Sequence, residues 1–163
     1  LARLHRSSED EDATRRSLEL ADMAVNLESA GNTIADVMLA LARRRDQSGS
    51  AFSETGWKEI RDFHDRVLSN AQSGLNVLMT MNPDAARALV EEKDRVRDME
   101  QHLQRSHLDR LKQGLTESIE TSNIHQETLR ALKQVNSAFT MIAYPILSET
   151  GDLLSSRLNR QQG

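Results

Sequence analysis

The sequence predicts an all-α fold, an antiparallel bundle of about four long helices, and three observations predict it. Apolar residues recur at alternating three- and four-residue spacing through several long stretches, the pattern of helices packed on helices. The 163 residues contain only two prolines and seven glycines, so few positions break a helix. The segments between the periodic stretches are short, which makes sequential helices antiparallel neighbours. A chain of this length supports one domain with its own core.

The first helix is expected over 12–46, after a polar segment over 1–11 that includes Ser7, Ser8, Glu9, Asp10 and Glu11. Its inward seam reads Leu20, Met23, Leu27, Ala30, Ile34, Val37 and Leu41. Asp46-Gln47-Ser48-Gly49-Ser50 is a loop by composition. A second helix follows over 53–81, capped by Ser53 or Thr55, with Ile60, Phe63, Val67, Gly74, Val77 and Met81 in the same rhythm and polar Asn70 interrupting them. Asn82-Pro83-Asp84 starts the third helix, over 83–113, by combining a cap, a residue suited to the first turn and a charge that complements the macrodipole. Its seam is Leu89, Val96, Met99 and Leu103. It closes on a basic last turn of His107, Arg110 and Lys112, with Gly114 as a left-handed cap. The fourth helix, over 117–148, presents His125, Thr128, Leu132, Val135, Phe139, Ile142 and Ile146, with a kink or break by Pro145. Leu153, Leu154 and Leu158 extend its apolar pattern, so the bundle is expected to span 12–160.

Bulk composition narrows the function. A net charge of -4 argues against a nucleic-acid or anionic-membrane surface. The absence of cysteine excludes a disulfide framework and thiolate chemistry. No run of about 18 apolar residues is present, the minimum for a bilayer span. The chain begins Leu1-Ala2-Arg3 and reads as a piece of a longer protein. There is no Gly-rich phosphate loop, nucleophile elbow or paired Glu-x-x-His, so no enzymatic activity and no cofactor are expected.

Three stretches carry a family resemblance. Glu117-Ser-Ile-Glu-Thr-Ser-Asn-Ile-His125, with Leu129-Arg-Ala-Leu-Lys-Gln-Val-Asn-Ser137 and Ile142-Ala-Tyr-Pro-Ile146, resembles the closing helix of the PhoU-like domain attached to bacterial Na+/phosphate symporters. Asn82 through Leu111 is similar to the PhoU helix before it, and Glu28-Ser-Ala-Gly-Asn32 resembles the PhoU pattern Glu-Arg-Ile-Gly-Asp. The resemblance implies a PhoU-like regulatory or accessory bundle on the cytoplasmic side of the inner membrane, part of an integral membrane protein whose transport path lies upstream. Its implied partners are that membrane domain and a second copy of itself.

The resemblance also implies positions for a metal cluster, since many PhoU proteins hold iron-like metals on Glu/Asp-x-x-x-Asp motifs. Here Glu28 keeps one acid, but Asn32, Lys93, Arg97, Lys133 and Ser137 stand at the other positions. Three cations on that ground would repel a metal ion. No multinuclear cluster is therefore expected, and Glu28 is expected to form an internal ion pair with Lys93 or Lys133. Asp94 and Asp98 form a separate i, i+4 acidic pair, read as a solvated face, with a surface metal site completed by Glu91 as the alternative. His125 is read as a hydrogen-bonded core histidine. His102, four residues after Asp98, and His64-Asp65 are read as surface pairs. The functional expectation is a regulatory domain of a Na+-dependent phosphate transporter that works by protein–protein interaction. The alternatives are a metal-binding carboxylate bundle and a purely structural coiled-coil module.

Overall fold

A computed structural model describes residues 2–149, with side chains described for 10–148. Leu153, Leu154, Leu158 and the rest of 150–163 lie outside the described residues. The described residues are helical throughout apart from short connections, and contain no strand. The order is α1 (Ala2–Asn32), a π-helical segment (Thr33–Met38), α2 (Leu39–Ser48), α3 (Glu54–Thr80), α4 (Pro83–Lys112), α5 (Thr116–Glu120), α6 (Ser122–Met141) and α7 (Ala143–Glu149).

The first helix departs most from expectation. It begins at Ala2 instead of near residue 12. Farther along, Arg15 pairs with Asp12 at 3.0 Å and Glu19 at 3.9 Å, the i, i+3 and i, i+4 spacing that supports an exposed helix in water. The π segment then inserts an extra residue into the repeat. The inward positions run Met23, Ala30 and Thr33, then step to Met38 and Leu41. Ile34 and Val37, expected inside, are 47% and 43% exposed, Val37 because the added residue hands its place to Met38 and Ile34 because Thr33 takes the inward position. Leu20 is 58% exposed as well, and Leu27 is half-buried.

The later helices keep a regular period. Ser53, not Thr55, caps α3, its Oγ accepting from the Gly56 amide at 3.2 Å. Asn82 caps α4 by accepting from the Ala85 amide at 2.9 Å, with Pro83 in the first turn. Gly114 takes the left-handed conformation after α4, at φ 74°. Ile60, Phe63 and Val67 of α3, Leu89, Val96 and Leu103 of α4, and Leu132, Val135 and Ile142 of the last stretch are buried, and Phe139 is half-buried.

The fourth helix is interrupted twice. The first break falls at Thr121, between α5 and α6, where the hydroxyl donates to the Glu117 carbonyl at 2.6 Å. The second break falls at Ile142, ahead of Pro145. A proline ring clashes with the carbonyl four residues earlier, here Met141, the last residue of α6. Pro145 itself sits in the first turn of α7, where no amide partner is lost.

Helix α6 is apolar around most of its circumference, with Ile124, Leu129, Ala131, Leu132, Val135 and Ala138 all buried. Such a helix takes the central place, and α6 accordingly packs against α1, α3 and α4. The first helix therefore rests mainly on the last one and not on α3, its neighbour in sequence. One core cluster surrounds Phe63, Leu129 and Leu132. A second joins Val77, Ala86, Leu89 and Ile142 at the α7 end.

Candidate functional site: a buried Glu-Arg-His cluster beside an apolar groove

The seam of α4 does not stop at Leu103. Continuing its spacing leads to His107 and Arg110, and both are buried. The turn expected to be a basic helix end thus sends two of its three basic side chains inward. They meet Glu59, which α3 presents one residue before Ile60. Arg110 donates from Nη1 to Glu59 Oε1 at 2.8 Å and from Nη2 to Oε2 at 2.7 Å, a bidentate pair with side chains only 7% and 12% exposed. Ser106 donates to the same carboxylate at 2.6 Å. From α6, His125 brings Nε2 to 3.6 Å from Glu59 Oε2, an ionic contact longer than a hydrogen bond. The His107 and His125 rings stack, 4.6 Å between centroids and 11° between planes. His107 Nε2 lies 2.9 Å from Ser122 Oγ.

The cluster ties the start of α3, the end of α4 and the start of α6 together. Gly56 lets them approach. A Cβ there would stand 3.0 Å from Ser53 Oγ and 3.6 Å from both Arg110 Nη2 and the His125 ring. Burial alone would raise the Glu59 carboxyl. The His125 contact, the hydrogen bonds from Arg110 and Ser106 and the guanidinium charge outweigh it and hold Glu59 at about 2. Burial lowers His107 to about 4, helped by neighbouring His125 and Arg110 and opposed by Glu59. At neutral pH Glu59 is therefore charged and His107 is neutral.

Ser122 and His107 have the separation of a nucleophile and its base. His107 Nδ1, where an orienting carboxylate would bind, has no hydrogen-bond partner among the described residues, and neither do Arg110 Nε or either nitrogen of His125, whose Nε2 only approaches Glu59. Chemically the arrangement is a buried polar clamp. Beside it opens an apolar groove of about 620 Å³, walled by Met38, Leu41, Phe52, Trp57, Ile60 and Ile124. Phe52 links the two features. It stacks on Trp57 at 6.2 Å and meets the edge of His125 at 6.1 Å.

The expected internal ion pair is placed differently. Glu28 is exposed on α1, lining a shallow groove with Asn32 and Asp36. Lys133 instead donates to buried Glu100 of α4 at 2.8 Å, and Gln104 donates to the same carboxylate. Lys93 reaches the Tyr144 hydroxyl at 3.2 Å and lies over that ring. Arg97 sits between Asp94 and Asp98, at 3.4 and 3.7 Å. The cations expected around one site are thus dispersed, because Lys133 turns toward α4 while Glu28 lies on the outer side of α1. Among the described residues, no group of three or more His, Asp or Glu side chains is arranged to hold a metal ion. His102 is exposed, and His64 contacts Asp65 at 3.1 Å on the surface. Glu59 and Glu100 went unforeseen. Glu100 could have been found from its place midway between Val96 and Leu103 on the buried face.

Comparison with known proteins adds a relationship along most of the chain. It is 35% identical over 149 residues to the "putative inorganic phosphate export protein YjbB" of Salmonella typhimurium (strain LT2), covering 91% of this chain. It is 32% identical, over the same length and share, to the protein of that name from Escherichia coli (strain K12). The chain spans 27% of the length of these relatives. No family model matches it, and no solved structure does. The chain is thus similar, along nearly all of its length, to about a quarter of proteins whose name concerns phosphate.

Proposed function

We propose that this chain is a PhoU-like regulatory domain of a Na+-dependent phosphate transporter, lying on the cytoplasmic side of the membrane and working by protein–protein contact without catalysis. The observation that carries the reading is the similarity over 91% of the chain to part of proteins named for phosphate export. The PhoU-like stretches support it from the sequence side. No helix among the described residues is long and apolar enough to cross a membrane, so the phosphate path is assigned to the remainder of such a protein. The Glu59-Arg110-His125 clamp fits a scaffold role, since it fixes three helices without exposing a reactive group. The primary partner is then the membrane region of the same protein.

The test is binding in trans. The chain, made separately, is offered to the membrane region of the full-length transporter in detergent, with an unrelated membrane transporter as control. Retention on that region alone is the expected result. Equal retention on the control, or none on either, overturns the reading.

A further inference from the structure

Helix α3 carries a second apolar stripe that the core does not use. Trp57, Leu68, Leu75 and Met79 are all exposed, Met79 by 77% and Trp57 by 52%. At 3.6 residues per turn they fall within about 40° of one another around the helix. The stripe has an internal symmetry, because Leu68 lies midway in sequence between Trp57 and Met79. Its two ends differ in shape. Trp57 forms a wall of the 620 Å³ apolar groove. Met79 is the most exposed large apolar side chain among the described residues, one residue before the end of α3.

We propose that α3 pairs with α3 of a second copy of this chain, antiparallel about a two-fold axis at Leu68, so that Met79 of each copy packs on Trp57 at the mouth of the other's groove. A two-fold interface must be self-complementary, and a protruding side chain and a recess at opposite ends of one helix satisfy that condition. The charges agree. Antiparallel pairing sets Arg61 against Leu75, His64 against Gln72 and Asp65 against Ala71, so no like charges meet. Lys58 and Asp62, beside the stripe, are already paired at 2.5 Å within one copy. A parallel pairing would place Arg61 on Arg61 and leave both grooves without a knob.

The four stripe side chains are 43–77% exposed, and with their flanks they would bury roughly 1,000 Å² in the pair, the lower bound for a specific interface. Area alone does not set the affinity, so the dimer is sought at high concentration. The proposal deepens the interaction-module reading by naming one partner, but its test involves no transport, so either can fail alone.

The chain has no cysteine, which makes single-cysteine crosslinking unambiguous. Under mild oxidation, Leu68→Cys should crosslink to itself efficiently. Trp57→Cys and Met79→Cys should do so poorly alone but well when mixed. By sedimentation, Leu68→Glu should weaken self-association at least about tenfold while leaving the helical circular dichroism unchanged. A chain that stays monomeric at roughly 100 μM, where even an association of about -5.5 kcal/mol would be half complete, overturns the proposal. So does a dimer that Leu68→Glu leaves intact, or one whose efficient crosslinks come from Val25→Cys on α1.

Discussion

Replacing Glu59 by Gln tests the buried cluster directly, because it removes one charge and keeps the side-chain shape. In the folded protein Arg110 would lose its bidentate acceptor while remaining 7% exposed. Breaking a buried pair from one side costs about 3–5 kcal/mol, since the remaining charge stays desolvated. The proton balance gives a second handle. Glu59 sits at about 2 when folded against a usual 4.5. A depressed carboxyl contributes stability that is present above pH 4.5 and is lost as pH falls toward 2, here about 3 kcal/mol. Urea unfolding followed by circular dichroism at pH 7, then at steps down to pH 2, reads both effects. Glu59→Gln should lower stability by about 3 kcal/mol at pH 7 and flatten the loss below pH 4.5. Adding Arg110→Met should recover part of the difference, because no unpaired cation is then buried. A loss under about 1 kcal/mol, the range of exposed ion pairs, or an unchanged acid limb in the single variant would refute the reasoning.

Other predictions follow from the same structure. His107 is held at about 4 against a usual 6.5, so the unfolded chain takes its proton first, and stability should fall between pH 6.5 and 4. His107→Phe should remove that limb, whereas Glu59→Gln should keep and deepen it, because the Glu59 carboxylate opposes the shift. Ile34→Ala should cost under about 0.5 kcal/mol, as at other surface positions, while Leu132→Ala should cost about 2–5 kcal/mol, both by urea unfolding. Met81 occupies a left-handed cap at φ 50°. Met81→Gly should therefore raise stability by about 1 kcal/mol, the relief of a non-glycine residue in that region, and an unchanged or lower midpoint would count against that strain.

What could be read from the sequence follows helix regularity. Ile60, Phe63 and Val67, Leu89, Val96 and Leu103, and Leu132 and Val135 are buried in α-helices whose period stays unbroken. Helix one escaped because nothing in Thr33–Met38 announces a π-helical segment, and one added residue moves the next inward position from Val37 to Met38. The clamp was half visible. His107, Arg110 and His125 stood at seam spacing, but basic residues in a last turn have a simpler explanation in the helix dipole. Only tertiary packing brings Glu59 to them. Glu28 was misplaced for a different reason. Its ion pair was inferred from positions in a family that the sequence resembles, and Lys133 meets Glu100 on α4 because α6 turns that side toward α4.

The most direct measurement of the proposed role is labelled phosphate flux in proteoliposomes, comparing the longer phosphate transporter that the proposal assigns to this chain with the same protein lacking it. Flux should persist without the domain while its dependence on Na+ and on phosphate at the domain's side changes, and the chain added back on that side should restore the original dependence. Identical flux and identical dependence with and without the domain would contradict a regulatory role.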